Sequence, residues 1–236
     1  MTNTVDPIGI IHSCFKEKFG IPRQAGLAPA AQAELELFPP YGNPAAVRGL
    51  EAVSHIWVIF LFHECAIKPW RDTVRPPRLG GNRRIGVFAS RSGFRPNAIG
   101  MSAVRLEGLR VSPQPVRLFL SGADFLDKTP VLDIKPYLAF ADSLPDALGG
   151  FASEPPPEVM SVEFSDDAEE ACRQLTDNIP QLRDLIVQML QSDPRPAYYQ
   201  RKPQKECFGT RIHDLEVKWM CLGSKTIVTA IERQPG

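Results

Sequence analysis

Apolar and polar residues along the first two thirds of the chain follow the pattern of β-strands. Residues 104–107 read Val-Arg-Leu-Glu, the two-residue alternation of a half-buried antiparallel strand. Residues 54–63 (SHIWVIFLFH) are apolar on both faces, which predicts a central, fully buried strand. No convincing helical period occurs before residue 165. Five strands bounded by Gly, Pro or Asn are predicted in this part, at residues 7–14, 53–63, 85–90, 101–111 and 116–121.

A change of composition near residues 151–158 predicts a division of the chain. This Pro-rich, acidic segment is typical of a linker or belt between units. It separates a domain of residues 1–157 from a smaller domain of residues 158–236. Because the strands of the first unit do not alternate with helices, a doubly wound parallel sheet is excluded. We therefore expect a mainly β protein with a small α+β C-terminal domain.

The C-terminal unit is expected to contain two helices among its strands. Ser165 and Asp166 offer N-caps to the first helix, which has acids in its first turn. Pro180 either ends or kinks this helix or begins the second one, and the sequence DPRP at 193–196 stops the helical pattern. Strands are predicted at 159–164, 211–219 and 226–232. The second helix has a core-facing stripe at helical spacing, formed by Leu182, Leu185, Ile186, Met189 and Leu190.

Composition narrows the class of protein. Of the 236 residues, 43% are apolar and 23% charged, which are ordinary values for a globular protein and exclude disorder. The sequence does not begin with a basic stretch followed by an apolar one, so no signal peptide is predicted. The longest apolar run, residues 56–62, is far shorter than the roughly 20 residues of a membrane span. The five cysteines form no CxxC pair, and we expect a reduced, cytoplasmic protein without a metal or a membrane segment.

Charge is balanced overall but strongly segregated. Lys and Arg together number 27, as do Asp and Glu. Residues 142–170 contain nine acids and no base, whereas residues 68–95 have a local excess of +7, with Asp72 as the one acid. Such a basic segment is typical of a surface that binds a polyanion; alternatively, each arginine pairs with a carboxylate of the acidic stretch. The basic residues are Lys68, Arg71, Arg75, Arg78, Arg83, Arg84, Arg91 and Arg95.

Loops after predicted strands carry the candidate chemistry. Arg23 and Gln24 offer planar donors to a purine edge or a carboxylate, unless they belong to a solvated loop. Arg91 and Arg95 flank a glycine in a loop stiffened by Pro96-Asn97, which presents two guanidinium groups. The sequence contains neither a GxGxxG loop, a phosphate-binding GxxxxGK[ST] loop nor a GxSxG nucleophile elbow.

A third cluster is acidic, in the segment GADFLDKTPVLDIKPY at residues 122–137. Asp124, Asp127 and Asp133 lie near a strand end, where carboxylates accept from ribose hydroxyls or an ammonium or oppose a sulfonium. Asp followed by Thr-Pro is also a good loop former in its own right. The residue pattern alone leaves both interpretations open.

These segments together resemble the TrmO (YaeB or TsaA) family. The resemblance rests on IPRQAGL, VRGLEAVSHIWVIFLFH, VRPPRLGG, GVFASRSGFRPNAIGMS, DFLDKTPVLDIKPY and DPRPAY, which occur in family order over nearly the whole chain. The resemblance implies a closed, mostly antiparallel β-barrel that uses S-adenosylmethionine. It also implies methylation of N6 of N6-threonylcarbamoyladenosine at position 37, in the anticodon loop of threonine tRNA. The family resemblance further implies a homodimer with the methyl donor near the subunit interface.

The resemblance also suggests site residues by position. No general base is assigned; Asp124 and Asp127 are the candidates. Residues expected to contact tRNA come partly from the basic segment, namely Arg71, Arg75, Arg78, Arg83 and Arg84, and partly from the family's motifs, namely Arg95, Asn97, Arg195 and Tyr198. Residues expected to bind S-adenosylmethionine are Arg23, Gln24, His63, Glu64, Arg91, Met101, Asp124, Phe125, Leu126 and Asp127.

Two other functions remain open at this point. One is a non-catalytic RNA-binding barrel with a basic face, for which Trp70, Phe88 and Phe94 are the aromatic residues near the arginines. The other is a methyltransferase that acts on a small acidic metabolite, which predicts activity without RNA.

Overall fold

The computed structural model describes residues 4–157, 160–195 and 206–234. Within these ranges the chain forms twelve strands and four α-helices, joined by turns and short 3-10 segments. The strands are β1 (Gly9–Ser13), β2 (Gln32–Leu37), β3 (His55–Leu61), β4 (Thr73–Val74), β5 (Ile85–Gly86), β6 (Ile99–Arg110), β7 (Arg117–Ser121), β8 (Pro130–Pro136), β9 (Ser161–Phe164), β10 (Glu206–Ile212), β11 (Leu215–Leu222) and β12 (Lys225–Arg233). The helices are α1 (His63–Ala66), α2 (Ala139–Asp142), α3 (Asp166–Leu175) and α4 (Leu182–Gln191).

Six strands close into a barrel in the order β1-β2-β7-β6-β3-β8, with every neighbouring pair antiparallel. Side chains alternate between the barrel interior and its surface, as the period of a strand requires. On β3, Ile56, Val58 and Phe60 are buried, whereas the residues between them are partly exposed. The predicted mainly β barrel is therefore confirmed. The expectation that residues 54–63 are buried on both faces is wrong, because only one face of β3 lines the core.

The second unit is a four-stranded sheet in the order β10-β11-β12-β9, on which α3 and α4 pack. Ser165 caps α3 by accepting a hydrogen bond from the Ala168 N–H at 3.3 Å, as predicted. α3 ends at Leu175, before Pro180. The predicted stripe of α4 is also confirmed, since all five of its residues are buried in the core of this unit.

Several predicted strands differ from the observed ones. Residues 211–219 form parts of two strands, because His213 adopts a left-handed turn (φ 55°) between β10 and β11. Residues 85–90 contribute only the two-residue β5, followed by a 3-10 turn, Val87–Ala89. Two barrel strands, β2 and β8, were not predicted: β2 is rich in Glu, Leu and Ala, and β8 begins with a proline.

The two units share packing. Cys14 and Phe15, which follow β1, lie in the hydrophobic core of the C-terminal unit. Phe15 forms a β-bridge with Ile212, and the Ala30 N–H donates to Gln188 Oε1 at 2.9 Å. The domain boundary at residues 157 and 158 remains a prediction. Among the described residues, none of the helices has the length and apolar character that crossing a membrane requires.

Candidate functional site

A pocket of about 490 Å³ lies at one end of the barrel. Its volume is within the range of about 300–1,000 Å³ that small-molecule sites occupy. Four segments form its walls, and each leaves or enters a barrel strand at this end. They are the loop after β1, the end of β3 with the first turn of α1, the loop that leads into β6, and the loop between β7 and β8.

The pocket has an aromatic floor of three rings, of which only Phe125 had been predicted as a site residue. The Phe60 ring packs edge-on against Phe62 and Phe125, with ring centroids 5.0 and 5.1 Å apart. Two glycines allow this packing. A Cβ atom on Gly100 would lie 2.6 Å from Cε2 of Phe60, and one on Gly93 would lie 2.7 Å from Cγ of Phe62. These glycines of the SGFRPNAIG segment are thus required by close approach to the rings.

Asp124 supplies a charge at the pocket wall. Its Oδ1 atom is buried and has no hydrogen-bond partner in the part of the chain that the structure describes. Burial raises the pKa of the Asp124 carboxyl, and the Ser102 hydroxyl and the Arg91 guanidinium only partly oppose this effect. A buried acceptor without a donor is costly. The pocket therefore suits a ligand that brings an ammonium, a sulfonium or hydroxyl groups to Asp124.

Arg91 connects two walls of the pocket. Its guanidinium donates to Gln24 Oε1 and, at 3.0 Å, to the Met101 carbonyl. The Gln24 side-chain amide donates in turn to the Arg23 carbonyl. The loop after β1 and the start of β6 are thereby held together, with Arg91 between them.

α1 begins immediately after β3 and brings two predicted residues to the pocket. His63 and Glu64 both line it. The Glu64 carboxylate pairs with the Lys18 ammonium at 2.7 Å, and this hydrogen bond lowers the pKa of Glu64. The pair is exposed to solvent, so its main effect is to connect α1 to the loop after β1.

The structure brings together nine of the ten residues predicted to bind the methyl donor, all except Asp127. The Asp127 carboxylate accepts from the Ser13 N–H at 2.9 Å and pairs with Lys16 at 2.9 Å. Burial raises its pKa, but the Lys16 ammonium and the Ser13 N–H together outweigh that effect, so the pKa of Asp127 is lowered. Asp127 thus fastens the β7–β8 loop to the end of β1. Lining residues that the prediction missed include Phe60, Phe62, Ile21, Pro22, Ser102 and Thr129.

The basic segment of residues 68–95 lies beside the pocket. In the described residues none of its eight bases forms an ion pair, and acids of the 142–170 stretch pair elsewhere, Glu163 with Lys225 and Glu169 with Arg183. The alternative in which each arginine pairs with that stretch is therefore wrong for these residues. Arg78 does donate to the Pro155 carbonyl at 3.4 Å, so the two segments are neighbours.

Other residues predicted to contact tRNA have different surroundings. Arg95 donates to the Val87 and Ser90 carbonyls at 3.2 and 2.7 Å, and so orders the loop between β5 and β6. Asn97 is exposed on that loop. Arg195 is buried in an ion pair with Asp193 at 2.7 Å, which keeps its guanidinium away from the surface. Tyr198 lies outside the described residues.

The fold and the pocket define a barrel protein with a pocket of small-ligand size beside a basic surface. Family models described as the tRNA-methyltransferase O N-terminal domain and the TrmO C-terminal domain match residues 10–143 and 157–234. The chain therefore belongs to the TrmO family of tRNA methyltransferases.

Individual relatives agree with this assignment. The chain is 47% identical to the tRNA (adenine(37)-N6)-methyltransferase of Escherichia coli, over 96% of this chain and 97% of the relative. It is 53% identical, over 93% of each chain, to the Pseudomonas aeruginosa protein RcsF, whose name groups it with the S-adenosylmethionine-dependent methyltransferases. A crystal structure of TrmO from Pseudomonas aeruginosa matches with a TM-score of 0.82 and 44% identity, over 98% of this chain and 99% of that one.

Proposed function

We propose that this protein transfers a methyl group from S-adenosylmethionine to N6 of the adenine at position 37 of tRNA. The E. coli relative, at 47% identity, carries this activity in its name. The observation that carries the proposal is the pocket beside the basic surface: nine residues expected at the donor site line it, and one of them, Asp124, has a buried carboxylate oxygen without a partner among the described residues. A tRNA substrate also implies a cytoplasmic enzyme.

The chemistry of the pocket fits S-adenosylmethionine. Phe60, Phe62 and Phe125 offer apolar surface to its base or its thioether region, and Asp124 offers a carboxylate to its ammonium or its ribose. Arg91, already oriented by Gln24 and the Met101 carbonyl, lines the same pocket and can donate to a carboxylate of the ligand. When bound, S-adenosylmethionine supplies a methyl group activated by a sulfonium leaving group.

The chain's own residues must then orient the acceptor nitrogen. An in-line displacement depends mainly on holding the nucleophile near the methyl carbon and on excluding water. We infer that the acceptor is N6-threonylcarbamoyladenosine, whose N6 belongs to a urea and is a weak nucleophile. No lining residue is assigned as the base that takes the N6 proton, because Asp124, the buried carboxylate of the pocket, is expected to hold the donor. Arg23 at the pocket mouth is available to bind the threonine carboxylate.

Two measurements test this function in sequence. Calorimetric titration with S-adenosylmethionine and S-adenosylhomocysteine should show one site per subunit. Methyl transfer should then be followed by nucleoside mass spectrometry on threonine tRNA with and without the threonylcarbamoyl group. Product from the modified tRNA alone is the expected result. If the folded protein does not bind the donor, the non-catalytic RNA-binding barrel is the remaining function. Activity on a small acidic metabolite without RNA would instead favour a small-molecule methyltransferase.

We also infer that the protein is a homodimer. Four large apolar side chains in the segment between β8 and β9 are exposed: Leu138 by 47%, Phe140 by 89%, Leu144 by 73% and Leu148 by 95%. Four exposed large apolar side chains within eleven residues favour association with another surface. The Phe140→Asp variant should sediment as a monomer, whereas Ile67→Asp, at an exposed apolar residue outside the segment, should sediment like the wild type. Monomeric wild-type protein at micromolar concentration would contradict the dimer.

A further inference from the structure

A second cleft, of about 760 Å³, opens beside the donor pocket. The β4–β5 hairpin, paired Thr73 with Gly86 and Val74 with Ile85, forms one side of it. The residues that matter for its chemistry are Trp70, Arg71, Arg75, Arg84 and Phe94.

The cleft combines an exposed aromatic ring with cations that have no carboxylate partner. Trp70 is 53% exposed although it is among the largest apolar side chains in the protein. Arg71 lies over the Phe94 ring at 5.1 Å, and Arg84 donates to the Thr73 hydroxyl at 3.0 Å. These contacts orient two guanidinium groups without neutralising them. Among the described residues none of the three arginines forms an ion pair, so the cleft retains a net positive charge next to the one acid in its lining, Asp72.

The two cavities share a wall that is one chain segment thick. Along residues 91–94, Arg91 and Gly93 line the donor pocket, whereas Ser92 and Phe94 line the second cleft. A layer of extended chain with its side chains is about 10 Å thick. Successive nucleotides of a stacked strand are about 3.4 Å apart, so about three nucleotides span the wall. One RNA loop is therefore able to reach both cavities.

We propose that the second cleft binds a nucleotide of the RNA that neighbours the target adenosine, with its base on the Trp70 ring and its phosphate on Arg75 and Arg84. This inference rests on the proposed function. A stacking aromatic beside guanidinium donors is the combination that proteins use to hold an unpaired nucleotide. An acidic peptide would use the arginines but has no need of an exposed indole. The cleft would fix the register of the loop, so that one adenosine enters the donor pocket.

The first test compares Trp70→Ala and Trp70→Phe with Ile67→Ala, a nearby truncation of an exposed apolar side chain outside the cleft. Loss of one stacked base weakens binding by about 5- to 150-fold. Trp70→Ala should raise the dissociation constant for a modified anticodon stem-loop, and its KM, by a factor in that range. The turnover number at saturating RNA should change far less. Trp70→Phe should recover most of the affinity, and Ile67→Ala should match the wild type.

A second test identifies the contact itself. Stem-loops with a single abasic nucleotide at each loop position are titrated against the wild type and Trp70→Ala. At one position near the target the missing base should weaken wild-type binding but cause no further loss in Trp70→Ala, since both changes remove the same stack. Additive losses at every position would overturn the stacking role. Arg75→Ala, with Arg110→Ala on β6 as the charge-matched control, tests the phosphate contact in the same way.

The outcomes separate this inference from the proposed function. Wild-type protein that neither binds S-adenosylmethionine nor methylates tRNA would refute the function. An active wild type together with Trp70→Ala and Arg75→Ala variants of unchanged RNA affinity would refute the cleft alone. Calorimetry with S-adenosylmethionine should give the same affinity for all these variants. Equal binding of inorganic triphosphate and the stem-loop would show a general anion site and would also refute the nucleotide assignment.

Discussion

The Asp124 carboxylate lies in the pocket wall, where hydrogen-bond donors and positive charges of the protein only partly compensate the burial of its charge. Its Oδ1 is buried without a partner among the described residues, and burial raises its pKa. A carboxylate whose pKa is raised on folding destabilises the folded state above that pKa, and the penalty disappears at lower pH as the group becomes protonated. Asp124 is therefore expected to lower the stability of the ligand-free protein. The same carboxylate is expected to raise the affinity for a cationic ligand.

Asp124→Asn should separate these two effects. At pH 7 to 8 the ligand-free variant should melt above the wild type, by about 2–4 °C for each kcal/mol of relieved penalty in a chain of this size. The difference should shrink as the pH falls toward 4. Affinity for S-adenosylmethionine should fall by about 10- to 150-fold, the effect of losing one charged hydrogen bond of about 1.5–3 kcal/mol. Thermal unfolding across pH and calorimetry measure the two quantities.

Asp127→Asn is the matched comparison three residues away. The pKa of Asp127 is lowered on folding by Lys16 and the Ser13 N–H, so its charge stabilises the folded protein above the ordinary carboxyl pKa near 4, and this contribution is lost as the pH falls. Asp127→Asn should therefore lower the melting temperature at pH 7 and leave donor affinity unchanged. A loss of donor affinity in this variant would return Asp127 to the binding site. An Asp124→Asn variant that melts no higher than the wild type at pH 7, or an Asp127→Asn variant that melts no lower, would contradict the electrostatic argument.

The sequence distinguished these two aspartates poorly. Both lie in one motif and both are chemically suited to a cationic ligand. Their difference depends on Ser13, the last residue of β1, and on Lys16 just after it. Both lie more than a hundred residues earlier in the chain and approach Asp127 only when β1 pairs with β8. The contact between Arg91 and Gln24 likewise could not be predicted from the sequence around either residue, although each had been predicted as a donor-site residue. Phe60 and Phe62 were interpreted only as strand residues because their rings resemble ordinary core.

At the scale of elements, β6 shows how packing and site geometry depend on each other. Gly100, the second residue of this strand, lines the pocket, and a Cβ atom there would approach ring carbons of Phe60 and Phe62 to 2.6 and 2.8 Å. Gly108 lies on the same strand with no atom within 4 Å of an added Cβ. The first glycine makes room for the aromatic floor, whereas the second lies in open space at a bulge.

Gly100→Ala and Gly108→Ala should differ accordingly. The first forces the phenylalanine rings to shift and should destabilise the fold by about 1–3 kcal/mol, the usual cost of overpacking, while weakening donor binding. The second should change stability by less than about 1 kcal/mol in either direction. Urea denaturation and donor titration compare them. Equal stability of the two variants would mean that the rings move freely and that the floor is not a fixed element.

Element types were easier to predict than element boundaries. Strong alternation and β-branched residues identified β1, β3, β6 and β7, and the periodic stripe identified α4. β2 was missed because Glu, Ala and Leu favour helices in isolation and become a strand here only through pairing on both sides. The turn at His213 was missed because a left-handed histidine has no clear local signal.

Across the whole molecule, a net charge of zero hides a separation that bears on RNA binding. The basic segment keeps its cations free of ion pairs within the described residues, while carboxylates of the acidic stretch pair with bases of the C-terminal unit. The protein therefore presents a local positive field beside the pocket without the general non-specific binding to polyanions that a high net positive charge brings. That field is expected to steer tRNA toward the pocket and to be sensitive to salt.

The salt dependence of tRNA binding measures how many of these cations contact phosphate. Each neutralised phosphate contributes about −0.7 to −0.9 to the slope of log K against log salt. Arg78 and Arg83 are exposed, lie outside the second cleft and have no carboxylate partner in the described chain. The double variant Arg78→Ala/Arg83→Ala should reduce the magnitude of the slope by about 1.5 and leave donor affinity intact.

The control is Arg105→Ala/Arg110→Ala, which removes two arginines of β6 and should retain the wild-type slope. If both double variants reduced the magnitude of the slope by the same amount, long-range charge alone would explain the salt dependence of binding. If neither changed, Arg78 and Arg83 would not contact the phosphates, and any phosphate contacts of the basic segment would have to come from its other arginines.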